Sequence, residues 1–202
     1  MSDTTEPGYL RPTSDPVPYD DELLDLLQPF LAGVTGLPGR MVRPTRQPDD
    51  TPNLPGYGED WLAFGISRAR TDTFSHEAHD PAGQGSDVTG RSEELDLLVS
   101  CYGEHARGTA MVLHDGAQLG QNRAPLNDLG IDLLSVGDAI SLPALLHGRW
   151  TKRVDVTLTL RRYVSRRYGV RTIVAPPRAD ATAVQFGLDN GLYVTPILAD
   201  AP

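Results

Sequence analysis

Cysteine is nearly absent from this 202-residue chain. With Cys101 alone, no intramolecular disulfide can form, and nothing in the cysteine usage points to an oxidising compartment. No apolar run approaches the roughly 20 residues that a bilayer crossing requires. The start, Met1-Ser2-Asp3-Thr4-Thr5-Glu6, is acidic where a secretory signal is basic, so a soluble, unexported protein is expected. Aromatics make up only 6% of residues, and Lys152 is the sole lysine beside 17 arginines. That skew fits the codon usage of a GC-rich genome, although arginine also suits planar ion pairing at interfaces.

Leu, Val, Ile and Phe supply about a quarter of the chain, enough to bury a core and exclude wholesale disorder. The length fits one domain of ordinary size. The net charge of −9 hides a division. Arg149 to Arg178 holds nine basic residues and one acid, Asp155, a local +8 that leaves −17 on the remainder. An acidic protein does not coat nucleic acid non-specifically, though one basic stripe can dock an acidic surface.

Residues 1–19 hold Pro7, Pro12, Pro16 and Pro18 and read as an extended arm that need not pack on its own body. A helix follows: Asp20 or Asp21 caps it, Glu22 and Asp25 suit its positive end, and Leu23, Leu24, Leu26, Leu27, Phe30 and Leu31 form its apolar stripe. Pro29 is expected to kink or end it, and the run from Gly33 to Gly39 to break it, with Gly36, Pro38 and Gly39 forming a structural turn. A short strand at Met41-Val42-Arg43 stops at Pro44, and residues 45–60 read as an irregular loop.

Alternation predicts strands over Trp61–Arg70 and Glu93–Tyr102, joined by a polar, Gly-rich connection from about Asp72 to Gly90. The pair therefore reads as a hairpin with a long protruding, mobile tip, ordered only against a partner. Within it His76, His79, Gly83 and Gly85 form a candidate contact loop. Gly103–Leu119 has the spacing of a helix with a small-residue face, and Ile131–Leu142 that of a strand interrupted near Gly137. The clearest strand follows Trp150, where Val154, Val156, Leu158 and Leu160 alternate with polar residues. Arg161 to Arg171 reads as its exposed end or a short helix. Residues 176–202, with Asp189-Asn190-Gly191 between short apolar runs, suggest a C-terminal hairpin.

No catalytic constellation emerges from these residues. His76-Glu77-Ala78-His79-Asp80 lacks the two residues between Glu and the second His that a helical zinc site needs, so no metal site is assigned. Gly83-Gln84-Gly85-Ser86 lacks the lysine of a phosphate loop. Cys101, in phase with Leu97 and Val99, reads as a small buried hydrophobe. His105, His114 and His147 stand beside different elements with no nucleophile elbow. The arginine segment admits three readings: a solvated strand end, a subunit interface, or a phosphate-binding groove. A nucleic-acid-binding module and a small hydrolase remain as rival classes behind a structural assembly protein.

Several stretches, in order, resemble the phage neck terminator family, the tail terminators of tailed phages and prophages. They are Gly33-Val34-Thr35-Gly36-Leu37-Pro38-Gly39, Val42-Arg43-Pro44 with Gln47-Pro48, and Trp61-Leu62-Ala63-Phe64-Gly65-Ile66. Further on come Glu94-Leu95-Asp96-Leu97-Leu98, Ser100-Cys101-Tyr102-Gly103, Gln121-Asn122-Arg123, Trp150-Thr151-Lys152-Arg153-Val154-Asp155 and Leu160-Arg161-Arg162. The likeness covers about residues 18–175 and leaves 176–202 unmatched. It implies an α+β subunit, a mainly antiparallel or mixed sheet flanked by helices, that assembles as a six-membered ring. Such a ring caps the tail tube, stops its polymerisation and meets the head connector. The implied partners are the tail tube protein, the connector or another neck protein, and a sheath or tail completion protein. DNA would pass through without specific binding, and neither a membrane, a cofactor nor a catalytic residue is implied. The implied location is the virion neck, with assembly in the host cytoplasm. On this reading Arg161, Arg162, Arg166 and Arg167 are expected to serve subunit or neck contacts.

Overall fold

Two long antiparallel strands form the spine: β4 (Ser86–Tyr102) and β9 (Arg153–Tyr168), in register from Asp87 opposite Tyr168 to Tyr102 opposite Arg153. The computed structural model describes residues 8–46, 54–146 and 148–171. Strand alternation sends Leu95, Leu97, Val99 and Cys101 to the same face as Leu160, Leu158, Val156 and Val154, and all eight are buried. Among the described residues five further strands add to this pair. β2 (Trp61–Thr71) lies antiparallel to β4 and contributes Leu62 and Phe64 to the apolar face, while β1 (Val42–Pro44) runs parallel along the edge of β2. Pro44 is tolerated there because an edge strand can forgo an N–H. β3 (His76–Asp80) pairs the start of β4; β5 (Ile131–Val136) and β6 (Ile140–Ser141) pair β9. The order β1-β2-β4-β9-β5 makes a mixed, mainly antiparallel sheet, and the fold is α+β.

Three helices cover the apolar face. α1 (Asp20–Thr35) buries Leu23, Leu27, Phe30 and Leu31; α2 (Ala106–Ala117) brings Ala106, Ala110 and Ala117 close to the sheet; α3 (Gly120–Asp128) buries Leu126. Pro29 does not end α1, and the helix breaks inside the run from Gly33 to Gly39, after Thr35, as expected. A proline inside a helix costs about 3 kcal/mol, and the buried Leu27, Phe30 and Leu31 on either side of it offset that loss. Gly36, at φ 72°, caps the helix with its N–H on the Ala32 carbonyl (2.9 Å), and Pro38 leads into a 3-10 turn at Gly39–Met41.

Three further expectations are corrected. The connection 72–90 is mostly strand: β3 and the first part of β4 extend the hairpin to a five-residue tip at 81–85, where Gly83 and Gly85 adopt positive φ. Pairing on both sides of β4, to β3 and β9, orders it without any partner. The helix expected over 103–119 is present as α2 but starts only at Ala106 and ends at Ala117, because Gly103 (φ 113°) turns the chain and Asp60 accepts the His105 backbone N–H (2.8 Å) ahead of it. The described part of the arm packs on its own body: Pro12 bridges Tyr168, and the Thr13 N–H donates to the Arg167 carbonyl at 2.7 Å. The C-terminal hairpin predicted over 176–202 lies outside the described residues.

Candidate functional site

The four arginines expected to serve subunit or neck contacts divide between the two faces of β9. β9 alternates to its end, so Arg162 and Arg166 stand on the helix-covered side with Leu160 and Val164, while Arg161 and Arg167 stand on the other. Arg162 is 7% exposed. Its Nε and Nη2 donate to one oxygen of Glu93 at 3.1 and 3.0 Å, and its Nη1 donates to the Pro18 carbonyl at 2.7 Å. The other Glu93 oxygen accepts from the Tyr19 hydroxyl at 2.6 Å and from Arg91 at 2.9 Å. Arg166 donates to the Tyr19 hydroxyl at 3.3 Å, and the Arg162 guanidinium lies 4.5 Å from the centre of the Tyr19 ring. Burial pushes the Glu93 carboxyl up, but hydrogen bonds from Tyr19, Arg91 and Arg162 together outweigh it and hold the group below the ordinary range. Arg162 and Arg166 thus fasten the arm through Glu93, Pro18 and Tyr19. Arg167 is half-exposed and pairs Asp80 at 3.1 Å; Arg161 is exposed.

The contact-loop residues divide in the same way. His76 and His79 are three apart on a strand and so point to opposite faces, His79 meeting Asp87 at 2.6 Å. Among the described residues no group of three or more His, Cys, Asp or Glu could hold a metal ion. Cys101 is fully buried, and burial together with the nearby Asp155 charge pushes its thiol up to about 12. His105 meets Asp60 and His114 meets Asp115, while His147 lies outside the described residues. No helix is long and apolar enough to cross a membrane among the described residues.

Sequence reasoning missed one exposed apolar surface. β7 (Ala144–Leu146) and β8 (Arg149–Thr151) pair only with each other and stand off the main sheet. Leu145 faces Trp150 across this hairpin, 59% and 71% exposed. Ile140, Leu142 and Tyr57 are exposed as well. The opposite face of the hairpin, Leu146 and Arg149 among its residues, joins Leu54, Pro55, Tyr57 and Trp61 around a cleft of about 620 Å³. The Arg149 guanidinium lies 5.2 Å from the centre of the Tyr57 ring, and Trp61 stacks on Tyr102 at 4.3 Å. The signal was present in Ala144-Leu145-Leu146 and Trp150 on either side of Gly148, whose φ of 75° is the turn conformation that favours glycine.

A family model described as phage neck terminator protein matches residues 21–183. No curated protein matches the chain.

Proposed function

The chain belongs to the phage neck terminator family and is a structural protein of the phage neck; from that premise we propose that copies of it close into a six-membered ring that caps the tail tube. The ring ends tube polymerisation and joins the tail to the head connector, with a sheath or tail completion protein as a further partner. It assembles in the host cytoplasm and performs no catalysis.

The observation that carries this reading is the exposed apolar pair Leu145 and Trp150, opposite each other on the β7–β8 hairpin. Large apolar side chains left exposed side by side mark a protein contact surface. Arg161 and Arg167, on the open face of the sheet, are the arginines left to serve subunit or neck contacts, and the tip with Gly83 and Gly85 extends toward a neighbour. The acidic remainder of the subunit, lining the lumen, keeps passing DNA from adhering. The rival reading, a nucleic-acid-binding module built on Arg149 to Arg178, has little support. Arg153 pairs Asp155 at 2.7 Å, Arg162 pairs Glu93 at 3.0 Å and Arg167 pairs Asp80 at 3.1 Å, so the described residues of the segment offer no single basic face.

Electron microscopy of tail tubes grown from their subunits tests this reading. Tubes grown with the protein present should be shorter and carry a ring of density at one end. Tubes of unchanged length with bare ends would refute it.

A further inference from the structure

The hairpin formed by β7 and β8 has two faces with complementary chemistry. One presents Leu145 and Trp150 to solvent; the other roofs the cleft lined by Tyr57, Trp61 and Arg149. Resting on the ring reading above, we infer that the hairpin is the head-to-tail joint between copies: the Leu145–Trp150 face of one subunit enters the cleft of the next.

Three observations carry this. First, strand alternation places knob and cleft on opposite sides of one element, so a subunit filling its neighbour's cleft keeps its own cleft open for another. A contact of that kind is heterologous and propagates, closing into a ring when the rotation between copies allows. Second, the cleft suits an indole. The exposed Tyr57 ring lines it with the Arg149 guanidinium 5.2 Å from the ring centre, and both groups stack on aromatic faces. Third, the exposed surface is large enough to be covered. At about 200 Å² per large side chain, the exposed parts of Leu145 and Trp150 on the knob and of Tyr57 in the cleft amount to roughly 400 Å² over the two sides of one joint. That equals the largest apolar patch a monomer ordinarily leaves uncovered and would form the apolar centre of an interface whose polar rim supplies the rest. An isolated two-stranded hairpin is also marginal in water, so a covering neighbour gives it the packing it lacks.

The test uses two full-length variants. One removes the knob (Leu145→Ser with Trp150→Ser), and the other fills the cleft (Thr151→Trp). Each is checked for an unchanged far-ultraviolet circular dichroism spectrum and melting temperature, with Val112→Ser, an exposed change on α2, as the control that leaves assembly intact. Native mass spectrometry should find each variant alone at the 21.9 kDa subunit mass and the equimolar mixture at twice that mass and no higher. The knobless copy accepts a knob and the filled copy donates one, so the pair has no free joint left. Closed rings formed by either variant alone would overturn the joint while leaving the ring reading standing. A wild type that stays a single subunit both alone and on tail tubes would overturn the ring reading, and the joint with it.

Discussion

Glu93→Gln removes the charge at the centre of the arm-fastening cluster while keeping the side chain's size. Glu93 is 2% exposed and accepts from Tyr19, Arg91 and Arg162. The change strands the Arg162 guanidinium, 7% exposed, without an anion. Breaking a buried ion pair by removing one partner costs about 3–5 kcal/mol. The lower end applies here, since the amide oxygen still accepts from Tyr19 and Arg162 still donates to Pro18. For a chain of this length 3 kcal/mol lowers the melting temperature by roughly 6–12 °C. Thermal and urea unfolding followed by circular dichroism reads the loss. The control is Glu94→Gln, one residue along on the opposite face, 41% exposed and paired to Arg70 at 3.3 Å, where a loss of at most about 1 kcal/mol is expected. The effect also depends on pH. The native Glu93 carboxyl lies below its ordinary value of 4.5, so its charge stabilises the fold above that value and ceases to do so as pH falls through the native value. The gap between wild type and Glu93→Gln should be full at pH 7 and close as pH descends below 4.5. Equal losses for Glu93→Gln and Glu94→Gln, or a gap that widens in acid, would refute the reasoning.

Removing the Tyr19 hydroxyl with Tyr19→Phe should cost about 1 kcal/mol and speed proteolytic cleavage in residues 9–18 more than elsewhere; an unchanged cleavage pattern would mean that the arm is held by other contacts. Gly103→Ala should destabilise by about 3 kcal/mol, because φ of 113° disfavours a side chain and the added methyl meets the Glu59 carbonyl and Asp60. Gly33→Ala should do the reverse, stabilising by about 0.8 kcal/mol in chemical denaturation, since it lies inside α1 with open space at the methyl position. Arg161→Glu should leave the melting temperature within about 2 °C while weakening assembly on tail tubes, as sedimentation with tubes would measure.

The core was legible wherever one face of an element was apolar. Val154 to Leu160 announced β9, and Leu95 to Cys101 the buried half of β4, because alternation and burial coincide there. The same parity, carried two residues further, puts Arg162 in phase with Leu160 and Val164. Reading the arginines as one exposed run set that parity aside, and the buried pair with Glu93 was lost with it. The ribbon over 72–90 was not legible, since neither of its faces is apolar and its pairing rests on backbone bonds that leave no pattern in side chains. α3 escaped for a similar reason, burying only Leu126. The docking of the arm depends on the Pro18 carbonyl and the Thr13 amide meeting β9 some 150 positions away, which no local pattern encodes. The interaction surface was half legible: Trp150 stood out as a marker within the family-like stretch, but its pairing with Leu145 on a hairpin apart from the sheet required the fold.

Native mass spectrometry of the wild-type protein, alone and after release from tail tubes, tests the central claim most directly. The account predicts an assembly six times the 21.9 kDa subunit mass, seen alone at high concentration or recovered from the tubes. A species that stays at 21.9 kDa throughout, with no protein recovered from the tubes, would contradict it.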